Sequence, residues 1–157
     1  MALPTVPPAQ QGAVYDPIVY NAALSAASKT SVAATTLFSP TTSGTFRLAV
    51  MCSITAVGGG TGTGASTSAV NVIYQDPNAS GAQTDSAVAT FTVGASGDSP
   101  AYTGTAGRAA LSTGVQEKTF RAAAGTAIQV STTYTVNGGL TTAPTLQHFV
   151  TLECLGQ

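Results

Sequence analysis

One histidine and two cysteines carry most of the side-chain chemistry that this 157-residue chain has to offer. A nucleophilic site needs a Ser or Cys beside a base, and the only imidazole is His148. It falls in phase with Leu146, Val150, Leu152 and Cys154, the position of a core or interface histidine. No serine sits in a Gly-x-Ser-x-Gly turn, so a Ser–His–Asp triad has no local support. The six acids are too dispersed to read as the carboxylate pair of a glycosidase. Cys52, Cys154 and one histidine cannot close a structural zinc site without carboxylates, and the spacing is not that of a finger. Two buried thiols are the reading, with a bridge between them as the alternative.

Two loops imitate ligand sites. Asp76, Asn78 and Ser80 put oxygen side chains at the first, third and fifth positions of a calcium-type loop, with Gly81 at the sixth. The twelfth position, which should be a bidentate Glu, is Ala87. The expectation is a tight, metal-free turn. Gly58–Gly64 invites a phosphate-loop reading, but the spacing fails Gly-x-Gly-x-x-Gly and no Gly-Lys-Ser/Thr follows. Asn78-Ala79-Ser80 is a glycosylation sequon by letter alone. The chain is expected to be no enzyme and to hold no cofactor or metal.

Charge is scarce. Asp, Glu, Lys and Arg make up 7% of the chain, against ~25% in an ordinary soluble domain. More than half of the residues are Ala, Thr, Gly or Ser. Such a chain either sits in a crowded assembly or wears a neutral hydroxyl surface. The five basic residues (Lys29, Arg47, Arg108, Lys118, Arg121) are scattered, whereas a phosphate-binding face needs them clustered, so nucleic acid is not an expected partner. The apolar runs are far shorter than the ~20 residues of a membrane span. The opening MALPTVPPAQQG has neither a basic segment nor an apolar stretch of the secretory type.

Two regions are expected. Residues 1–33 are rich in Pro, Ala, Gln and Ser and read as an extended N-terminal arm. Within it, Asn21–Ser28 suits a short helical turn because alanine favours helix, and Tyr15 and Tyr20 are candidate partner contacts. Residues 34–157 read as one β-sandwich domain. Thr45–Thr55 alternates Phe46, Leu48, Val50, Cys52 and Ile54 against Thr45, Arg47, Met51, Ser53 and Thr55, the period of a half-buried antiparallel strand. Shorter patterns follow: Ser68–Gln75 with Val70, Val72 and Tyr74; Asp85–Val93 with Ala87, Ala89, Phe91 and Val93; Gln116–Ala122 around Phe120; Ala127–Val136 with Ile128, Val130, Tyr134 and Val136. Thr145–Leu155 aligns His148 with its apolar neighbours. Ala34–Phe38 makes a seventh strand. Gly-rich connections and the absence of helical periodicity give an all-β, antiparallel, jelly-roll-like sandwich.

The last strand carries Phe149 and Leu155 on its other face. A strand turned to water should not show a Phe, so these two residues mark an expected oligomer or partner interface. The intramolecular alternative is coverage by the N-terminal arm.

The stretches Thr35–Val50 (TTLFSPTTSGTFRLAV), Arg121–Val136 (RAAAGTAIQVSTTYTV) and Phe149–Leu155 (FVTLECL) resemble small jelly-roll proteins of tailed-bacteriophage particles. The first also resembles the entry to trimeric heads of the tumour-necrosis-factor and C1q type. The resemblance implies a capsid decoration (cement) protein or head fibre, made in the host cytoplasm and carried on the outer surface of the virion. It implies a homotrimer whose partner is the major capsid protein of a phage head. The lack of a stalk sequence favours a flush decoration over a long fibre. The competing function is a receptor- or glycan-binding knob at a tail tip, with Tyr102 and Tyr134 as sugar-stacking rings.

Overall fold

The computed structural model describes residues 18–24, 31–56, 59–60, 65–94, 109–110, 115–136, 140–142 and 145–156. The described residues form eleven strands and no helix. In chain order these are β1 (Ile18–Leu24), β2 (Val32–Phe38), β3 (Gly44–Ala56), β4 (Gly59–Gly60), β5 (Ala65–Tyr74), β6 (Gln83–Gly94), β7 (Ala109–Ala110), β8 (Gln116–Ala122), β9 (Ile128–Val136), β10 (Leu140–Thr142) and β11 (Thr145–Gly156). All pairings are antiparallel. One sheet runs β1-β11-β3-β8, with β7 pairing the far end of β3 beyond β8; the other runs β2-β9-β5-β6. Short β4 and β10 pair with each other. With the three short strands set aside, the first sheet holds the first, eighth, third and sixth strands, and the second holds the second, seventh, fourth and fifth. That order is a jelly roll.

Alternation decides which side of each strand faces inward. On β3, Phe46, Leu48, Val50 and Cys52 are buried, and on β11 Leu146, His148, Val150, Leu152 and Cys154 are buried. The register sets them directly opposite one another: Phe46 beside Cys154, Leu48 beside Leu152, Val50 beside Val150 and Cys52 beside His148. The facing sheet contributes Leu37, Val70, Val72, Ala89, Phe91, Ile128 and Val130. At one end of this core Phe46 stacks near Phe120 at 6.2 Å, and Phe120 lies 4.5 Å from Tyr74. Each fully buried Phe, Leu or Val contributes roughly 1.5–3 kcal/mol.

The sheets are tied along the side where β6 and β8 meet. The Gln116 side chain satisfies both backbone groups of Thr90, accepting from its N–H at 3.0 Å and donating to its carbonyl at 2.8 Å. Asp85 accepts from the Tyr74 hydroxyl and pairs with Lys118, both at 3.1 Å. An edge strand that would otherwise offer free N–H and C=O groups is thereby capped at Thr90.

Three expectations need correction. Asn21–Leu24 is not helical: it continues β1, antiparallel to β11, with Ala23 opposite Phe149. Alanine's helix preference is weak beside the row of backbone partners that the edge of β11 presents. Ala87 does not share a face with Ala89 and Phe91. It is exposed at φ 53°, where the β5–β6 register shifts between Val70 and Val72. The Asn71 side chain holds that bulge, accepting from the Ala87 N–H at 2.9 Å while its amide reaches Ser131 and Thr133 at 3.4 and 3.3 Å. Val136 ends β9 exposed rather than joining the core. Val93 and Ile54 have side chains outside the described set.

Replacing Asn71 by Ala leaves the Ala87 N–H without its acceptor and should lower stability by about 1 kcal/mol. Asn71→Asp keeps the acceptor and should lose less. Urea midpoints of the two variants check this, and equal losses would show that the amide donors matter more than the bulge.

Candidate functional site

The outer face of the β1-β11-β3-β8 sheet is built by the residues that alternation turns away from the core. Phe149 on β11 sits directly across from Met51 on β3, Thr151 across from Ala49, and Glu153 across from Arg47. Phe149 and Met51 are 38% and 47% exposed, and Val115, just before β8, is 56% exposed. These three, with Ala49 and Thr151, line a shallow depression of about 260 Å³. Its lining is mostly apolar by residue type. Leu155 and Ile18, on β11 and β1, add further exposed apolar surface to the same sheet.

Beside the depression lies a small ion cluster. The Arg47 Nε–H donates to Glu153 at 2.9 Å, its Nη2 donates to the same oxygen, and its Nη1 is 3.9 Å from Glu117. Glu153 and Arg47 are a direct cross-strand pair, the geometry in which opposite charges stabilise a sheet. The face therefore groups Arg47, Glu117 and Glu153 together and offers its apolar residues outward.

The opposite outer face has a different character. Thr36, Gln129, Ser131, Thr133, Asn71 and Thr84 turn outward there, and its described residues carry no charge. Gln129 donates to Thr36 Oγ1 at 3.1 Å, so the hydroxyls bond along the sheet. An uncharged, hydroxyl-bearing face is compatible with water. A face carrying Phe149, Met51 and Val115 is the one that gains from being covered.

The sequence-derived candidates fall in different places. Phe149 and Leu155 lie exposed on the apolar face, as the alternation of the last strand implied. Tyr20, opposite Leu152, packs half-buried against the core of its own chain. Tyr15 and Tyr102 lie outside the described residues. Tyr134 is half-buried against the core, so it is not the exposed stacking ring that a glycan-binding reading needs. Val115 carries no signal in the sequence, whereas alternation alone puts Met51 on the outward side of its strand. Met51 was legible as the cross-strand neighbour of Phe149 only once the β3–β11 register was known.

The polar side chains of the core make one arrangement that imitates catalysis. Ser68 Oγ and His148 Nε2 are 3.0 Å apart, the spacing of a nucleophile and its base. Both residues are buried, at 1% and 2% exposure, and His148 Nδ1 has no hydrogen-bond partner. In a triad that nitrogen would hold the orienting carboxylate. The pair has neither access to substrate nor the third member. Burial pushes His148 down to about 4 and the Cys52 thiol up to about 12, so both are neutral at pH 7. Cys52 and Cys154 are buried and form no disulfide. Cys154 lies six residues along β11 from the partner of Cys52, roughly 20 Å at the rise of a strand. A disulfide needs Cα atoms within ~7 Å.

In the calcium-like loop, Asp76 Oδ1 accepts from the Asn78 N–H at 2.8 Å and the Asp76 carbonyl accepts from the Ala79 N–H at 3.1 Å. Gly81 takes φ 82°, where a side chain would be strained. These bonds close the turn with the chain's own backbone, and among the described residues no cluster of metal-ligating side chains is present.

No known protein family, curated protein or solved structure matches the chain.

Because both thiols are buried, an aqueous thiol reagent at pH 8 should leave the native protein unlabelled and label two sites after unfolding. Mass spectrometry of the native and urea-treated protein reads the count. Rapid labelling of native Cys52 would mean the core opens far more readily than its packing implies.

Proposed function

We propose that this chain is a structural assembly protein of the capsid-decoration type, a homotrimer that covers a phage head rather than transforming a substrate. The observation that carries the reading is the apolar outer face centred on Phe149 and Met51, beside which Arg47 is paired with Glu153. Scarcity of charge supports it, because such a surface attaches through apolar area, backbone pairing and hydroxyl bonds. The resemblance of Thr35–Val50 and Phe149–Leu155 to phage jelly-roll proteins supplies the virion setting. In this reading the apolar face makes the contacts between subunits. The sequence ahead of β1, Tyr15 included, grips the capsid protein.

The alternative of a glycan-binding knob loses its described aromatic platform, since Tyr134 is tied to the core. Saturable binding of the isolated chain to cell-wall glycan would restore it.

Exposed charges are screened beyond ~10 Å at 0.1 M salt, and an apolar contact is not. Light scattering of the full chain should therefore give three times the chain mass at low salt and again at about 1 M sodium chloride. A trimer that dissociates in salt would refute an apolar contact; a monomer at both would remove the homotrimer. Phe149→Asp places a charge in the middle of the face and should yield monomer with a near-native circular dichroism spectrum. Its folding cost should stay small, because Phe149 is partly exposed in the single chain. A variant that remains trimeric would move the subunit contact elsewhere.

A further inference from the structure

His148 is the only histidine of the chain, and it does its work between the sheets rather than at a surface. From β11 it reaches across the core to Ser68 on β5, Nε2 to Oγ at 3.0 Å. Its ring lies 5.7 Å from that of Phe91 on β6, and Cys52 is its cross-strand neighbour on β3. Tyr134 on β9 is the cross-strand neighbour of Ser68, and Leu24 on β1 pairs with His148 from the other side. The titratable groups of these neighbours are the Cys52 thiol and the Tyr134 phenol, and neither is a carboxylate.

The charged residues among those described are disposed elsewhere. Arg47, Glu117, Glu153 and Arg121 belong to the outer face of the sheet, Asp85 and Lys118 to the seam between β6 and β8, and Asp76 to the turn after β5. Among the described residues no carboxylate is placed to receive a proton-bearing imidazole, and Nδ1 already lacks a partner. A neutral ring forfeits one weak acceptor there. A protonated ring would have to bury an N–H donor and a full charge without compensation, which proteins avoid by losing either the charge or the fold.

We propose that the Ser68–His148 bond is an acid-released latch between the two sheets: protonation of His148 puts an unpaired cation in the core, and the sandwich opens to hydrate it. The inference is independent of the assembly reading, since it concerns a single chain. The sign follows from linkage. Burial lowers His148 in the folded chain to about 4, below the ordinary 6.5 of an unfolded histidine. The unfolded chain therefore binds the proton first as pH falls. Stability from this group is complete above about pH 6.5, drains away between 6.5 and 4, and changes no further below that.

The test is urea unfolding of the full chain and of His148→Gln, which can still hydrogen-bond to Ser68 and never carries charge. Between pH 7 and about 4 the unfolding constant of the natural chain should rise on the order of a hundredfold more than that of the variant. The surface carboxylates titrate in both proteins, so the difference isolates His148. An identical acid dependence of the two would overturn the latch. Should the variant fail to fold, the imidazole resonances of the natural chain decide. A ring that stays neutral until the protein unfolds supports the latch; one that titrates near 6.5 in the folded state refutes it.

Discussion

The pairing of β3 with β11 is the constraint on which the rest of the molecule depends. These strands are among the longest of the chain and lie side by side in the middle of one sheet. Because side chains alternate along a strand, their register settles two surfaces together. Inward it stacks Leu48 on Leu152 and Val50 on Val150, half of the core. Outward it sets Phe149 beside Met51 and Glu153 beside Arg47, the whole centre of the candidate interaction face. A slip of β11 by one residue would put His148 and Cys154 in water and Phe149 in the core. Core and contact face are thus products of one set of backbone bonds, and neither can be altered in register without the other.

This coupling also explains the division of labour between the two outer faces. A chain with so few charges has little with which to mark its surfaces. It places Arg47, Glu117 and Glu153 together beside the apolar depression, with the one guanidinium set between the two carboxylates. The hydroxyl and amide side chains go to the other face, where Gln129–Thr36 and Asn71–Thr133 bonds tie neighbouring strands. The sandwich is two-sided in chemistry although nearly uncharged in composition.

Much of the fold was legible in the sequence, and the parts that were not share a cause. Strands β3 and β11 show a period of two over long stretches with large residues on one side; β8 shows only a short pattern around Phe120; the expected limits of all three agree with the structure to within a residue or two. β1 was read as arm and partial helix because Ile18–Leu24 has no alternation of its own; what makes it a strand is the open edge of β11. Ala87 was assigned to the buried face because period two was carried straight through a bulge, and the Asn71 side chain that holds the bulge lies 16 residues away. The same limit applies to the sites. Phase placed His148 on the core face and Phe149 on the other. Ser68, 80 residues from His148, and Met51, on a different strand from Phe149, are partners that only tertiary pairing supplies.

Alternation protects a sheet against slips of one residue but is blind to slips of two, which return every side chain to its proper face. Along β3 and β11 the facing pairs Leu48–Leu152 and Val50–Val150 are aliphatic, so a two-residue slip exchanges similar side chains at those positions. The few polar contacts are what distinguish the registers. Moving β11 by two along β3 would set Arg47 against Thr151 or Leu155 instead of Glu153, and would slide the His148 ring away from Ser68. Moving β9 past β2 would separate Thr132 from the Val32 N–H, which it accepts at 3.0 Å. Thr132, Ser68 and His148 are the buried polar residues among those described, and each has a partner on another strand or the other sheet. A buried polar group left without its partner costs about 1–3 kcal/mol, more than the loose packing of an alanine position. The histidine that makes the core sensitive to acid is therefore also one of the groups that hold the sheets in a single register, and an apolar replacement that removed the first property would weaken the second.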